Sequence, residues 1–403
     1  MTASHNSGGP LNDWGIKFNG TNGGPALEDV TDKIFDCTKK IDEYLTTNDF
    51  TEMIDLSLLG SYEFTNVGNG KGRFVVDVVS CTDGYVECMK ENFDFGKIKS
   101  FVGREDFSMV FDGLSGVAGP YAIAILENEF GLDRKNLNNC VTLPDFGGLH
   151  PDPNLVYADQ LVKKMQILSE DETKEVPDFG AACDGDADRN MVLGKKFFVT
   201  PSDSVALLAA LSHTWIGTKK MTGVARSMPT SGALDQVAQK LGLDLYITPT
   251  GWKFFGNLMD SDRILLCGEE SFGTGSSHIR EKDGLWAILC WLSILADANP
   301  DPKNPLVTVE SIVNDHWRTY GRNYYMRYDY EAVESKGAND MMAHLEGQFQ
   351  SFRDECVGNK AEIFEYLDPV DGSVSKNQGV IFTFKDGSRI IFRLSGTGNF
   401  ILG

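Results

Sequence analysis

The sequence predicts an α/β protein built from successive mixed-sheet α/β domains, with a shortened α+β domain at its C-terminal end. Three observations support this fold class. Short apolar runs typical of buried strands alternate with helical stretches along most of the chain. The 403 residues suffice for two to four domains, each with its own core. After an Asn/Pro/Asp linker at residues 299–305, the pattern changes to two long helices and a hairpin.

Composition and charge are those of an ordinary globular chain with an acidic surface. Apolar residues make up 41%, charged residues 24%, and the formal net charge is −21. This charge argues against a nucleic-acid partner or an anionic membrane surface. No signal peptide opens the chain. The longest apolar run, residues 285–296, is too short to span a bilayer and indicates a buried helix.

The eight cysteines are scattered, with no C-x-x-C pair and no zinc-type spacing. Several lie inside apolar runs, as Cys183 and Cys267 do, and are expected to be buried small hydrophobic residues. Such cysteine usage indicates a reducing compartment, so we expect a cytoplasmic protein.

The first part of the chain is predicted to contain one helix. Residues 1–10 are polar and rich in turn formers, so a disordered terminus and a functional loop both fit them. A helix is expected over residues 26–44, followed by a polar linker to about residue 72. A β-rich run at residues 74–79 then begins a new unit.

The rest of the chain is predicted to form two α/β units and a final α+β unit. In the first unit the expected elements are strands at 107–111 and 140–143 and helices at 120–130 and 159–168. In the second they are strands at 223–226, 243–248 and 263–267 and helices at 201–211 and 232–241. In the last they are helices at 309–320 and 330–352 and hairpin strands at 379–384 and 388–394.

A loop with carboxylates at alternate positions carries the strongest chemical signal. Asp184, Asp186 and Asp188 lie between two apolar, strand-like runs, and Arg189 follows directly. Such crowded carboxylates repel one another unless a cation holds them, and hard oxygen ligands suit Mg²⁺ or Ca²⁺. An EF-hand is excluded, because Arg189 and Lys195 occupy its glycine and glutamate positions. An acidic surface turn remains an alternative to an Mg²⁺ site that keeps positions open for phosphate.

Two further loops combine residue types that suit phosphate or sugar. Ser4 and His5 precede Lys17, and a serine that carries a phosphoryl group needs such cationic donors nearby. Glu269 and Ser271 follow a predicted strand, where open α/β sheets bind ligands, and their spacing suits vicinal sugar hydroxyls. A polar loop that caps the next helix fits this second stretch equally well.

Cationic and hydroxyl residues suggest phosphate contacts at two more places. Arg280 and Lys282 follow the sugar-type loop, although charge runs are usually only solvated. Residues 393–398 (RLSGTG) offer a guanidinium, two hydroxyls and glycine amides, which together can bind a phosphate. By itself this last stretch also fits an ordinary turn.

Together these stretches resemble the phosphoglucomutase family of the α-D-phosphohexomutase superfamily, almost from end to end. Four loops in the family's order carry the resemblance: residues 2–6, 184–189, 268–271 and 393–398. Residues 226–232 (RSMPTSG) and 248–257 (TPTGWKFFGN) resemble the eukaryotic-type glucose enzymes more than the bacterial phosphomannomutases. The resemblance implies a phosphoserine-loop domain remnant, a metal-loop domain, a sugar-loop domain and a partial phosphate-loop domain, at residues 1–76, 77–200, 201–316 and 317–403.

The resemblance also implies an isomerase that interconverts glucose 1-phosphate and glucose 6-phosphate through a phosphoserine and glucose 1,6-bisphosphate. Ser4 would carry the phosphoryl group, and an oxygen of its phosphate would bind Mg²⁺ together with Asp184, Asp186 and Asp188. The acid/base or charge-stabilising groups would be His5, Lys17, Arg189 and Lys282. The substrate would be held by Asp188, Arg189, Thr250, Gly251, Glu269, Ser271, Lys282, Arg393, Ser395, Gly396 and Thr397. We expect a monomer that acts on a hexose phosphate.

The chain departs from the family pattern in three respects. Ser7 replaces a proline, and Ala187 replaces a glycine, which has a cost only where the backbone needs a positive φ. The chain also resembles a truncated member, in which Ser4 lies on a free N-terminal tail without its scaffold. Two alternatives therefore stay open: an inactive fragment or non-catalytic binding relative, and a mutase of another hexose or of a pentose.

Overall fold

The structure is a computed structural model that describes residues 2–26, 28–44, 53–66, 72–168, 175–217, 219–330, 333–394 and 401–402. Within these residues the strands form three larger sheets and two separate two-stranded hairpins. The three larger sheets belong to successive parts of the chain, so the order of elements follows the sequence.

The first part of the chain is an extended segment followed by a helix and a hairpin. Isolated bridges join Thr2 to Gly15 and Asn19 to Pro25. The helix Glu28–Thr38 lies within the range predicted for it. Two antiparallel strands follow, β1 (Gly60–Asn66) and β2 (Gly72–Val78). The expected polar linker was therefore wrong, because Tyr62 and Phe64 alternate with polar residues as a two-faced strand requires.

The next unit contains a five-stranded mixed sheet in the order β4-β3-β5-β6-β7. Its strands are β3 (Met109–Asp112), β4 (Leu137–Asn138), β5 (Phe179–Cys183), β6 (Asn190–Gly194) and β7 (Phe197–Phe198). Its α-helices are Asp83–Asn92, Phe95–Val102, Ala118–Ala122, which continues as the π-helix Ile123–Glu129, and Asp159–Lys164. The prediction of a strand at residues 140–143 was wrong. The residues that pair with β3 there are Leu137 and Asn138, which form β4.

A second mixed sheet follows, in the order β11-β10-β8-β9. Its strands are β8 (Gly223–Ser227), β9 (Asp244–Thr248), β10 (Leu266–Gly268) and β11 (Thr274–Ser276). Its helices are Pro201–Ala210, Ala233–Leu241, Trp252–Asp260, Gly284–Ala298 and Val309–Tyr320. The helix Gly284–Ala298 contacts strands of both large sheets and is buried along most of its length, which confirms the buried helix predicted there.

The last unit is built around an antiparallel sheet in the order β12-β18-β17-β16-β13, beside the hairpin β14-β15. The strands are β12 (Asp329–Tyr330), β13 (Lys360–Ile363), β14 (Tyr366–Leu367), β15 (Val374–Ser375), β16 (Val380–Thr383), β17 (Arg389–Leu394) and β18 (Ile401–Leu402). The helix predicted over residues 330–352 is two helices, Ser335–Gly347 and Phe349–Glu355. The predicted hairpin is confirmed, and Gly387 has the positive φ of 89° that its turn requires.

The architecture confirms the predicted fold class. Two α/β units with mixed sheets precede an α+β unit, and one apolar core continues through the first two of these units. All eight cysteines carry free thiols. In the described part of the chain, no helix combines the length and the apolar character needed to cross a membrane.

Candidate active site

The acidic loop connects two antiparallel strands, β5 and β6, as the apolar runs on either side of it predicted. Asp184, Asp186 and Asp188 each direct one carboxylate oxygen into a common space, and these three oxygens all lie within 4.8 Å of one another. Ala187 has a φ of 67°, a backbone conformation that residues other than glycine adopt only at a cost in free energy. The loop therefore holds a strained but compact set of three oxygen ligands.

Asp184 provides the test of whether this loop suits a metal ion. Its side chain is fully buried, and one oxygen, Oδ1, accepts a hydrogen bond of 2.9 Å from the Arg189 amide. The other oxygen, Oδ2, has no hydrogen-bond partner among the described residues. Burial and the charges of Asp188 and Asp186 raise the pKa of Asp184 well above its usual range. A cation bound between the carboxylates would satisfy the unpaired oxygen, so these residues fit a metal ion.

Two lysines neutralise the other two aspartates. Nζ of Lys17 lies 2.6 Å from Oδ2 of Asp186 and 2.9 Å from Oδ2 of Asp188. Nζ of Lys282 lies 3.1 Å from Oδ1 of Asp188. Burial alone would raise the pKa of Asp188, but the charges of Lys282, Lys17 and Arg189 outweigh it and hold this pKa below its usual range. The loop is thus surrounded by cations on two sides.

Ser4 lies directly against the acidic loop. Its Oγ donates to Oδ1 of Asp186 at 3.2 Å and lies 3.4 Å from Nδ1 of His5. The contact is close, because a side chain at Gly185 would overlap the carbonyl oxygen of Ser4. Ser4 itself has a φ of 55°. The expectation that this serine lies on a free tail is therefore wrong. In the structure, the segment that contains Ser4 packs against the acidic loop.

Arg189 and His5 extend the site away from the aspartates. Nη2 of Arg189 lies 3.4 Å from Nε2 of His5, and Nη1 lies 3.3 Å from Oδ1 of Asp152. Burial, together with the charges of Arg189 and Lys282, lowers the pKa of His5 to about 2. His5 is therefore neutral at physiological pH and offers one ring nitrogen as an acceptor.

The sugar-type loop faces the same space from the next unit. Glu269 is buried, and its Oε1 accepts a hydrogen bond of 3.3 Å from the Gly251 amide. Burial is the main cause that raises the pKa of Glu269 above its ordinary value, although the charge of Lys282 opposes it. The Thr250 hydroxyl has no hydrogen-bond partner among the residues described. Polar groups that line a cavity and lack a hydrogen-bond partner can bond to a polar ligand.

Many of the predicted residues line one cavity, which has a volume of about 690 Å³. Its walls include eight of them: His5, Arg189, Thr250, Gly251, Glu269, Ser271, Lys282 and Arg393. Ser4, Lys17 and the three aspartates connect to it through contacts with His5 and Lys282. Arg189 and Arg393 each keep an Nε atom that has no partner in the described part of the chain. The predicted phosphate contacts Ser395, Gly396 and Thr397 lie outside the described residues.

The cavity also has wall residues that the sequence did not identify. They are Asn6, His150, Asp152, Trp252, Arg327, Asp329, Asn339, Met342, Ala343, Glu346, Asn377, Gln378, Gly379 and Leu394. The cluster of prolines and polar residues at 150–154 was a usable loop signal for His150 and Asp152. Arg327 and Gln378 have no local signal, since only the packing of the last unit against the others brings them to the cavity.

Comparison with known protein families covers nearly the whole chain. Residues 1–45, 83–196 and 201–320 match alpha/beta/alpha domains I, II and III of phosphoglucomutase/phosphomannomutase. Residues 322–400 match the C-terminal domain of phosphoglucomutase-1. These four matches occur in the order that the four loops predicted.

Individual relatives agree with this result. The chain is 57% identical over 401 residues to phosphoglucomutase-1 of Paramecium tetraurelia and 55% identical over 414 residues to the cytoplasmic phosphoglucomutase of Bromus inermis. Each alignment covers 99% of this chain and 70% of the relative. The crystal structure of parafusin, a Paramecium phosphoglucomutase in its open form, superposes with a TM-score of 0.91 at 56% identity, over 99% of this chain and 71% of that one. The chain therefore belongs to the phosphoglucomutase family of isomerases.

Proposed function

We propose that this chain interconverts glucose 1-phosphate and glucose 6-phosphate in carbohydrate metabolism, by passing a phosphoryl group between Ser4 and the sugar. One observation carries the proposal: the Ser4 loop, the acidic loop and the sugar-type loop are far apart in sequence and converge on one cavity. Its volume of about 690 Å³ suits a small-molecule ligand. The relatives that match the chain are named phosphoglucomutases.

The reaction consists of two phosphoryl transfers that together return the enzyme to its starting state. In the first, the phosphoryl group leaves Oγ of phosphorylated Ser4 for the 6-hydroxyl of glucose 1-phosphate, and the proton of that hydroxyl is passed to Oγ. The product is glucose 1,6-bisphosphate. In the second, Oγ of Ser4 attacks the phosphorus on O1, the O1–P bond breaks, and the Oγ proton is passed to O1. This step releases glucose 6-phosphate and restores phosphorylated Ser4.

The groups around Ser4 suit these proton transfers. Oδ1 of Asp186, at 3.2 Å, already accepts the hydroxyl proton of Ser4 in a hydrogen bond. Nε2 of the neutral His5 ring faces the Arg189 guanidinium and accepts from it, so Nδ1, at 3.4 Å from Oγ, carries the ring hydrogen and can donate it in a hydrogen bond to Oγ. Lys17, Lys282 and Arg189 supply fixed positive charge, which stabilises the charge that develops on the transferring group.

The acidic loop is proposed to hold Mg²⁺ through Asp184, Asp186 and Asp188, with one oxygen of the phosphate on Ser4. The protein side chains of this ligand set are all carboxylates, and the unpaired Oδ2 of Asp184 fits such a cation. When bound, Mg²⁺ supplies positive charge opposite the transferring phosphoryl group. Lys17 occupies part of the same carboxylate set, so the lysine and a metal ion compete for Asp186.

The sugar and the non-reacting phosphate are proposed to be held separately. Thr250, Gly251, Glu269 and Ser271 would contact the sugar, and Asp188, Arg189 and Lys282 the reacting end. The phosphate that does not react would be held by Arg393, Ser395, Gly396 and Thr397. Separate contacts are needed because glucose 1,6-bisphosphate must turn over within the site, so that either phosphate can face Ser4. Glucose 1,6-bisphosphate would accordingly also activate the enzyme.

The wider setting remains part of the proposal. We propose a cytoplasmic protein, supported by the cytoplasmic relative from Bromus inermis, and one without nucleic-acid or membrane partners, supported by the acidic net charge of −21. We also propose that it acts as a monomer. We also propose that the four divisions at residues 1–76, 77–200, 201–316 and 317–403 are the functional domains, each contributing one loop to the cavity.

The test is conversion of glucose 1-phosphate with Mg²⁺ and a trace of glucose 1,6-bisphosphate. Ser4→Ala should abolish turnover, because it removes the nucleophilic oxygen, whereas Ser7→Ala, in the same loop, should keep most of it. Chelation of the metal should also stop the reaction. Equal background with the parent chain and with Ser4→Ala, both folded, would overturn the proposal.

Two alternatives predict other results in the same experiment. An inactive fragment or a non-catalytic binding relative would show no turnover with any sugar phosphate, and the comparisons lend this alternative no support, because the matched relatives are named as enzymes. A mutase of another hexose or of a pentose would turn over a different member of a sugar-phosphate panel faster than glucose 1-phosphate.

A further inference from the structure

One loop contacts both the sugar-type loop and the strand that carries Arg393. It consists of residues 226–232. Thr230, which is fully buried, makes the contacts on both sides. The Thr230 hydroxyl donates to Oε2 of Glu270 at 3.1 Å and accepts a hydrogen bond of 3.0 Å from the Glu270 amide. The Thr230 carbonyl accepts a hydrogen bond of 3.0 Å from Nη2 of Arg389. A single residue thus joins the sugar-type loop to the strand that carries Arg393.

The 226–232 loop is held rigid by its own hydrogen bonds, so it can fix the residues on its two sides relative to each other. Arg226 is 2% exposed, and its guanidinium donates to the carbonyls of Ser227, Met228 and Thr230 at 3.1 to 3.3 Å. The same group pairs with both carboxylate oxygens of Asp235 at 2.5 and 2.7 Å. A buried arginine with all these partners fixes the loop in one conformation.

On the sugar side, the contact runs through Glu270. This residue is 2% exposed, and its Oε2 also accepts a hydrogen bond of 2.9 Å from the Ser227 hydroxyl. Glu270 directly follows Glu269, the proposed sugar contact. Its side chain points to the 226–232 loop, whereas Glu269 lines the cavity on the other side of the backbone. Anchoring Glu270 therefore fixes the direction of Glu269.

On the phosphate side, the contact runs through Arg389. In the described part of the chain no carboxylate lies within ion-pair distance of this arginine, and its partners are the carbonyls of Thr230, at 3.0 Å, and Met228, at 3.5 Å. Arg389 and Arg393 lie on the same face of β17, because side chains alternate along a strand, and are about 13 Å apart along it. Arg389 is half-buried, and it gives up part of its hydration for carbonyl partners alone, which indicates a role for its position.

Close packing does not fix β17 at this place. A second cavity, of about 1150 Å³, opens between the strand and the 226–232 loop, with Arg226, Glu270 and Arg389 among its walls. Met228 of the 226–232 loop packs beside Gly379, the residue before β16, where an added Cβ would lie 2.9 Å from the Met228 Cε and 3.4 Å from the Arg393 Cβ. At Arg389 itself, directed hydrogen bonds to the carbonyls of Met228 and Thr230 connect β17 to the 226–232 loop beside this second cavity.

We propose that Arg389 is a positioning residue for hexose phosphate binding. Through the 226–232 loop it holds Arg393 at a fixed separation from Glu269, so that the sugar hydroxyls and the distal phosphate of one molecule are contacted together. The inference rests on the proposed function, since it takes Glu269 and Arg393 as the sugar and phosphate contacts. A contact misplaced by about an ångström loses much of its value, and this is what the Arg389 bonds prevent.

The experiment compares Arg389→Ala with Arg263→Ala. Arg263 is a matched control, because its Nη2 also donates to a carbonyl of the last unit, that of Pro369 at 3.3 Å, but away from the first cavity. We expect Arg389→Ala to raise both the KM and the Kd of glucose 6-phosphate about tenfold and to change kcat less than about threefold, because ground-state positioning is what it loses. Arg263→Ala should change each value less than about twofold by the same reasoning.

Titration calorimetry with glucose 6-phosphate measures the Kd without turnover, which separates the two proposals. Parent-level KM and Kd in a folded Arg389→Ala variant would overturn the inference and leave the proposed function intact. Equal losses in the Arg263 variant would also overturn it, by showing that general attachment of the last unit is responsible. A parent chain that binds glucose 6-phosphate without turning it over would instead overturn the function, while its Kd still tests Arg389.

A second pair of variants covers the case in which Arg389→Ala fails to fold. Thr230→Val removes the hydroxyl that contacts Glu270 and keeps the side-chain shape, whereas Thr230→Ser keeps the hydroxyl. The valine variant should show the raised KM and the serine variant should restore the parent value. Arg389→Lys, which keeps the charge but forms fewer directed bonds, should fall between the parent and the alanine variant. Identical KM values for Thr230→Val and Thr230→Ser would contradict the inference.

Discussion

Nζ of Lys17 lies 2.9 Å from Oδ2 of Asp188, although 171 residues separate them in the chain. The same ammonium lies 2.6 Å from Oδ2 of Asp186. These ion pairs hold the N-terminal segment, and Ser4 with it, against the acidic loop. They also put a protein cation where a metal ion would take its ligands, so Lys17 has two opposing effects on the proposed reaction.

The first prediction concerns this competition. Lys17→Met removes a cation that pairs with two of the three aspartates, so the loop becomes more negative and Mg²⁺ should bind about tenfold more tightly. Turnover of glucose 1-phosphate should nevertheless fall, since the charge that faces the phosphoryl group is lost. Calorimetric titration with Mg²⁺ measures the first effect. Lys97→Met, which breaks the exposed pair with Asp297, is the control, and an unchanged Mg²⁺ affinity in Lys17→Met would contradict the competition.

The second prediction concerns the unpaired oxygen of Asp184. In the parent chain Mg²⁺ should raise the thermal midpoint, because it binds only the folded state. Asp184→Asn removes a buried carboxyl group whose pKa is already raised. The asparagine keeps a side-chain oxygen that can accept the hydrogen bond from the Arg189 amide. The metal-free variant should therefore be more stable than the metal-free parent by about 1 kcal/mol, and Mg²⁺ should no longer stabilise it.

Calorimetric melting with and without Mg²⁺ measures both effects. Asp159→Asn is the matched control, because Asp159 is exposed and pairs with Lys163 on the same helix, away from the acidic loop. It should behave as the parent does. A variant at position 184 that still gains stability from Mg²⁺ would show that this carboxylate is not a ligand.

The third prediction concerns backbone strain at Ala187, where φ is 67°. Glycine adopts this conformation without the clash of a Cβ, so Ala187→Gly should raise the free energy of unfolding by about 1 kcal/mol. Ala343→Gly is the opposite case, since Ala343 lies in the helix Ser335–Gly347, where glycine should lower the free energy of unfolding by about 1 kcal/mol. Denaturant titration of both variants would show changes of opposite sign, and two decreases would mean that the strain is absent.

The fourth prediction concerns pH and His316, a buried residue on the helix Val309–Tyr320. Burial lowers the pKa of His316 from 6.5 to about 4, so the folded state keeps the ring neutral. Below pH 6.5 the unfolded chain binds a proton that the folded chain does not. The stabilising contribution is therefore complete above pH 6.5 and is lost as the pH falls towards 4, with a total of up to about 3 kcal/mol.

Thermal melting of the parent and of His316→Gln between pH 4.5 and 7.5 measures this effect. The variant has no group at this position to protonate, so its midpoint should fall less steeply with acid than that of the parent. Parallel pH profiles for the two proteins would contradict the lowered pKa of His316.

Much of the fold could be predicted because its signals are local. The apolar runs beside the acidic loop became β5 and β6, and the turn at residues 385–387 became the hairpin between β16 and β17. Misses occurred where a local pattern was weak or longer-range packing decided. The strand β1 was missed in a polar stretch, and the helix expected over residues 330–352 breaks at Gln348.

Residue types and spacing are local features, so the sequence sufficed to select the loops of Asp184, Glu269 and Arg393 as candidate binding loops. Only the tertiary structure decided that these loops share one cavity, that Lys17 neutralises Asp186, and that Arg389 joins the last unit to Thr230. It also decided that the backbone at Ala187 is strained. The physical reason is range: propensity and periodicity act over a few residues, whereas contacts across 171 residues depend on how whole sheets pack.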